Sequence, residues 1–187
     1  MTPLDYSRLR DMADADRYGA ILQQCFNITA WEDEPFYARL GMENYRIVRQ
    51  GDNILGGVAL IPMGQWFGGR RVAMTGIAGV AIGAEYRGQK AALFMMEQVL
   101  QELHATGIAL STLYPAIHHL YRKLGYGQGG VYYGWSLSTD SIGLRERRLP
   151  IHPVSPMGNQ FPVEPFQALY QQQAQIHNGH LDRHPRI

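Results

Sequence analysis

A mixed α/β fold, with one central sheet and helices on its flanks, is predicted for this 187-residue chain. Three observations predict it. Two long stretches, around residues 11–27 and 89–106, repeat apolar residues at helical spacing. Between them lie apolar runs separated by glycine turns, which read as antiparallel strands. The run Val72–Ile82 is almost continuously apolar, as expected of a strand covered on both faces.

Each element has its own signal. In "DMADADRYGAILQQCFN", Tyr18, Ile21, Leu22, Cys25 and Phe26 share a helical face, with Asp11 as N-cap and Asp14 near the positive end. "FYARLGM" predicts a short helix closed by Gly41. "NYRIVRQ" and "NILGGVALIPM" predict two strands joined at "GDN", and Gly68-Gly69 marks the next turn. In the long strand that follows, Gly76 and Gly79 suggest a bulge or a close approach by another group. Gln89–Thr106 predicts a helix with a broad apolar stripe, in which Met95 and Met96 fill core. "IALSTL" is the next strand. "PAIHHLYRKLGYG" is a helix with Pro115 at its first position and Gly125 at its end, and "VYYGWSLS" a last strand of alternating aromatics. After Leu149 the composition changes. "PIHPVSPMGNQFPVEP" holds five prolines and reads as a linker, followed by a further helix in "FQALYQQQAQI".

Bulk properties narrow the function. Hydrophobic residues are 45% and charged residues 18%, which implies a packed core. A formal net charge of +1 argues against a nucleic-acid partner but leaves room for a local anion site. Cys25 is the single cysteine, so an intrachain disulfide and a cysteine-based zinc site are excluded. No apolar leader and no membrane-length apolar run is present, and the chain reads as cytoplasmic. The "NIT" sequon at Asn27 is then a chance match. His177, His180 and His184 read as a solvated tail, and no metal is expected.

"GVAIGAEYRGQKAALFMMEQVL" (Gly79–Leu100) joins a strand to a helix through a loop carrying Arg87, Gly88, Gln89 and Lys90. A helix start exposes unpaired N–H groups and the positive end of the helix dipole, a ready anion site. Gly88 permits close backbone approach, and Arg87 adds a permanent charge. Gly83 and Gly88 have the spacing of a phosphate-binding loop's glycines. Gln89 stands where that loop needs lysine, however, and no Ser or Thr follows Lys90, so nucleotide hydrolysis is rejected. The dinucleotide fingerprint is absent as well.

This stretch resembles the strand, pyrophosphate loop and helix of the Gcn5-related N-acetyltransferase (GNAT) superfamily. Arg87 and Ala92 match the ends of its Arg/Gln-x-x-Gly-x-Gly/Ala pattern, and Lys90 replaces its middle glycine. "LSTLYPAIHHLYRKLGYG" and "HNGHLDR" are similar to the enhanced-intracellular-survival (Eis-like) subfamily, most specifically over residues 77–127 and 176–183. The resemblance implies the GNAT acyl-CoA N-acyltransferase fold, acetyl-CoA as co-substrate, and direct attack by a primary amine of a small molecule or peptide. It implies Val80 and Ile82 as backbone partners of the pantetheine arm, between two splayed strands. Arg87, Gly88, Gln89, Lys90, Ala91 and Ala92 would surround the pyrophosphate, and Tyr121 would be the general acid. It also implies an acetyltransferase domain over 1–149, with 150–187 forming a linker and the start of a further domain. In that subfamily the base is thought to be the C-terminal carboxylate of a later domain. The tail, with Phe166, Leu169, Tyr170 and Ile176 as a partial apolar face, must then dock on its own domain, pair with another copy as a homo-oligomer, or fray. The acidic cluster Glu32, Asp33 and Glu34 reads as a solvated loop, and His118 and His119 have no evident partner in the sequence. A non-catalytic acyl-CoA-binding or interaction module with the same fold is the alternative.

Overall fold

The structure, a computed structural model, describes residues 2–28, 36–143, 150 and 163–183. Their six-stranded sheet runs β1 (Leu4–Arg8), β2 (Tyr45–Gln50), β3 (Asn53–Phe67), β4 (Arg70–Ile82) and β5 (Leu110–Leu113), with β6 (Leu181–Asp182) also on β3. All pairings are antiparallel except β4 with β5. The helices are α1 (Met12–Phe26), α2 (Phe36–Leu40), α3 (Ala91–Ala105), α4 (His118–Lys123) and α5 (Val163–Ile176). No helix among the described residues is long and apolar enough to cross a membrane.

The sheet is covered on both faces, which explains the continuous apolarity of its central strands. On one face α1 packs Ala15, Tyr18, Ile21 and Leu22 against Ile47, Ile54, Ala59 and Ala81. On the other, α3 packs Met95, Met96, Val99 and Leu103 against Val48, Leu55, Val58, Leu60 and Ile77. Met95, Met96 and Val99 are wholly buried, so the methionine pair is core, as its spacing predicted. Polar ties cross the layers. Arg46 on β2 pairs with Glu102 on α3 at 2.5 Å, and the Tyr6 hydroxyl donates to the same carboxylate at 2.6 Å. The Arg46 hydrogen bonds, chiefly, hold the Glu102 carboxyl below its ordinary range. Under α1, Asp14 accepts from Arg49 at 2.7 Å and from the Arg10 amide at 2.9 Å.

Four expectations are corrected. Leu4–Arg8 is a strand that the sequence reading left unassigned; it is five residues long and pairs in full register with β2. Val131–Ser138 forms no strand, although its residues alternate. It pairs with neither edge strand of the sheet, although β5 has an open side among the described residues, and Tyr132, Tyr133 and Trp135 stand 73–89% exposed. The helix expected from Pro115 begins at His118, behind Ile117 as N-cap, and stops before Gly125 at φ +88°. Lys90, expected inside the helix, instead precedes it.

The tail docks on the domain. Leu181 and Asp182 pair with Gln65 and Gly64, the Trp66 amide donates to His180 O at 2.9 Å, and Arg71 pairs with Asp182. Tyr170 reaches Leu181 O at 2.9 Å and Ala174 is wholly buried, while Phe166, Leu169 and Ile176 of α5 remain exposed. His177 and His180 stack with ring centroids 5.1 Å apart. His184 and the Glu32–Glu34 cluster lie outside the described residues.

Candidate active site

The site is built where β4 ends. β4 pairs with β5 from Met74 to Ile77, matched to Leu110 to Leu113, and the ladder stops there. Two residues further on, β4 bulges against β3. The register passes from Ala59↔Ala78 to Gly57↔Ala81, so Gly79 and Val80 oppose the single residue Val58. Gly79 has φ +61°, in the left-handed region where glycine carries no steric penalty. The extra residue changes the strand's phase. Ile77, Val80 and Ile82 all face the α3 side, an odd step from 77 to 80 that a regular strand cannot make. β5 ends at Leu113, so beyond Ile77 β4 has no strand partner on that side among the described residues, and this open stretch of edge is the wedge. Val80 and Ile82 lie along it.

Past the wedge, a 3-10 turn at Ala84–Tyr86 leads into the loop and α3. Gly88 has φ +81° and Lys90 φ +62°. A left-handed conformation costs an L-residue roughly 1–2 kcal/mol, so a glycine would sit at position 90 without that strain. Lys90 is the N-cap of α3, yet its side chain caps nothing. The first helical bond is Phe94 N to Lys90 O, at 3.0 Å. The amides of Ala91, Ala92 and Leu93, which precede it, therefore have no intrahelical acceptor. They carry the positive end of a 15-residue helix.

These amides border a cleft of about 420 Å³. The loop and α3 line one side with Arg87, Gly88, Lys90, Ala91, Ala92 and Leu93, and Ile82 and Tyr86 add the end of the wedge. The opposite wall is α4 and its approach, with Ile117, His119, Leu120 and Lys123. Arg87, Lys90 and Lys123 make no ion pair among the described residues; the one side-chain contact of Arg87 is Cys25 Sγ at 3.6 Å. Glu85, the acid nearest in sequence, is held by Arg17 at 3.1 Å. The cleft thus joins an apolar floor to a rim of unpaired cations and open amides. It suits an anion carried on a largely apolar stem. No group of three or more potential metal ligands occurs among the described residues.

Most of the residues singled out in the sequence meet here. Ile82, Arg87, Gly88, Lys90, Ala91 and Ala92 line the cleft, Val80 lies in the wedge, and Gln89 is an exposed loop residue outside the lining. Tyr121 sits behind the α4 wall, 8% exposed, its ring edge-on to Tyr126 at 5.9 Å. Its hydroxyl has no hydrogen-bond partner among the described residues. Burial first, and Tyr126 second, raise its pKa, so it holds its proton. The α4 contribution of His119 and Lys123 was missed, because it depends on how that helix packs rather than on a local pattern.

A strand–loop–helix junction with open amides and a cationic rim, at the unpaired end of a strand in a mixed sheet, points to a class of molecule, and comparison with known proteins identifies it. Residues 6–129 match the family described as "Acetyltransferase (GNAT) domain". The chain is similar to a GCN5-related N-acetyltransferase from Anabaena variabilis ATCC 29413, at 40% identity and a TM-score of 0.86, over 99% of this chain and 46% of that one. A GCN5-related N-acetyltransferase from Kribbella flavida is 30% identical, with a TM-score of 0.60 over 66% of this chain and 33% of that one. Eis1 from Mycobacterium abscessus shares the fold at 16% identity and a TM-score of 0.69, over 98% of this chain and 46% of that one. No curated protein gave a significant match. This chain belongs to the GNAT acetyltransferase family, and it spans less than half the length of these three relatives.

Proposed function

We propose that the protein is an N-acetyltransferase that moves an acetyl group from acetyl-CoA to a primary amine. The observation that carries this reading is the uncapped start of α3, facing a cleft rimmed by Arg87 and Lys90. Acetyl-CoA supplies an activated thioester. The amides of Ala91 and Ala92, with Arg87, Gly88, Gln89 and Lys90, would hold its pyrophosphate. The backbone at Val80 and Ile82, unpaired toward β5, would hold the pantetheine arm as a strand partner does.

Transfer forms a C–N bond and breaks a C–S bond, and the departing sulfur needs a proton. Tyr121 would deliver it, since its raised pKa keeps the phenol protonated at neutral pH. The acceptor class is an amine of a small molecule or peptide. Within the family we assign the chain to the Eis-like type on the motifs at residues 77–127 and 176–183. On that assignment 1–149 form the acetyltransferase unit, 150–187 lead into a further one, and the protein is cytoplasmic.

The second reading, acyl-CoA binding without turnover, is favoured by one observation: Tyr121 does not line the cleft. One pair of measurements separates the two. Millimolar CoA should raise the melting temperature by several degrees, because a ligand that binds only the folded state stabilises it. Thiol release from acetyl-CoA should then depend on added amine. No thermal shift would refute both readings, and a shift without amine-dependent release would favour the second.

A further inference from the structure

The wedge in β4 is braced from α1. Tyr18 is wholly buried, and its hydroxyl donates to Gly79 O at 2.6 Å. In a regular strand that carbonyl would lie in the sheet, aimed at a neighbouring strand. Here it is bonded to a side chain of the helix covering the face. The fit is close on both sides of the bulge. A Cβ on Gly57 would stand 2.8 Å from two carbons of the Tyr18 ring, and one on Gly79 would stand 2.9 Å from the hydroxyl. Two helical turns further along, Cys25 Sγ lies 3.4 Å from Ile82 O, as a weak second donor. The carbonyls at both ends of Gly79–Ile82 are thus drawn to the α1 face, away from the ladder that ends at Ile77.

We infer that Tyr18 is a positioning residue for the acyl donor: by tying Gly79 O to α1 it holds the bulge, and so presents the β5-facing backbone of Val80 and the amide of Ile82 to an extended, amide-bearing arm. This rests on the acetyl-CoA reading above. Burial raises the Tyr18 pKa well above the ordinary phenol value, so the hydroxyl keeps its proton, and the tie its donor, at neutral pH. The geometry gives α1 a part in donor binding although it lines none of the cleft.

Tyr18→Phe tests this, because the ring that fills the space beside Gly57 is kept and only the donor is lost. Three readouts apply: CoA affinity by calorimetry, amide hydrogen exchange, and steady-state kinetics. The Kd for CoA should rise at least fivefold, and the KM for acetyl-CoA should rise by a larger factor than kcat falls. The amides of Val80–Ile82 should exchange faster, while those of Met95–Val99 in α3 keep their rates. A purely structural tyrosine would lower the melting temperature and leave the Kd of the folded protein unchanged. A Kd within twofold of the starting protein overturns the inference. Should Tyr18→Phe not fold, Cys25→Ala in an Arg87→Ala background removes the second tie without altering an Arg87 contact. A two- to threefold loss of affinity is expected there, and none overturns the brace. If the unaltered protein binds no CoA, the donor reading fails by itself. Exchange then judges the brace alone, and unchanged rates at Val80–Ile82 in Tyr18→Phe overturn it.

Discussion

Two helices of this protein, α1 and α3, are both 15 residues long and begin in opposite ways. α1 starts on Asp11, which has an extended backbone and accepts from the Asp14 amide at 2.9 Å. Its first turn is further tied by Asp14, which accepts from the Arg10 amide and pairs with Arg49. α3 starts on Lys90, which is left-handed and caps nothing, and its first amides face a cleft rimmed by cations. α1 thus closes part of its own terminus with a capping side chain. On the function proposed above, the open terminus of α3, behind a left-handed residue, serves a ligand. Where the two helices meet β4 they share the work: α3 offers the amides, and α1 ties the carbonyls of Gly79 and Ile82.

That contrast can be broken in several places. The largest effect is expected at the chemistry itself. Tyr121→Phe keeps the buried ring beside Tyr126 and removes the proton donor, so kcat should fall by ~10²–10⁴ with CoA affinity nearly kept. An unchanged kcat, with chemistry shown to be rate-limiting, would remove Tyr121 from the mechanism. Next comes Arg87→Ala, which deletes a planar charge from the open terminus. Calorimetry should read CoA binding weakened about tenfold or more, and a smaller change would move the pyrophosphate off this loop.

The capped helix should behave in the opposite sense. Asp11→Ala is expected to cost about 0.5–2 kcal/mol of stability in urea melts and to leave the Kd for CoA unaltered. Lys90→Gly sharpens the comparison most finely. It relieves the left-handed strain but adds freedom to the unfolded chain, so the two terms nearly cancel in stability. CoA affinity should drop only two- to threefold, because one exposed charge is lost while the amides stay. A larger loss would show that Lys90 carries the site rather than assisting it.

The open terminus was largely legible in the sequence. Arg87, Gly88 and the apolar stripe from Ala92 to Leu103 mark a loop and a helix by local chemistry, although the start expected at Gln89 lies two residues too early, and Asp11 marks the capped start of α1. What lay beyond reach is what depends on contacts between distant segments. Gly79 suggested a bulge, but the phase change from Ile77 to Val80 is hidden because every nearby residue is apolar. His119 and Lys123 acquire their place only through the packing of α4. In Leu4–Arg8 the strand is set by an available edge on β2 rather than by its own brief pattern. Val131–Ser138 shows the converse, since its alternation is not joined to any strand and by itself makes none. The tail's partial apolar face was legible, whereas its docking rests on pairing with Gly64 and Gln65, more than 110 residues away in sequence.

The measurement that tests the open terminus most directly is a titration of the 15N-labelled protein with CoA, followed at the first-turn amides of both helices. The account predicts large shifts for Ala91, Ala92 and Leu93 and none for Met12, Ala13 and Asp14. Bound CoA that leaves the α3 amides unmoved, or that shifts both termini alike, would contradict it.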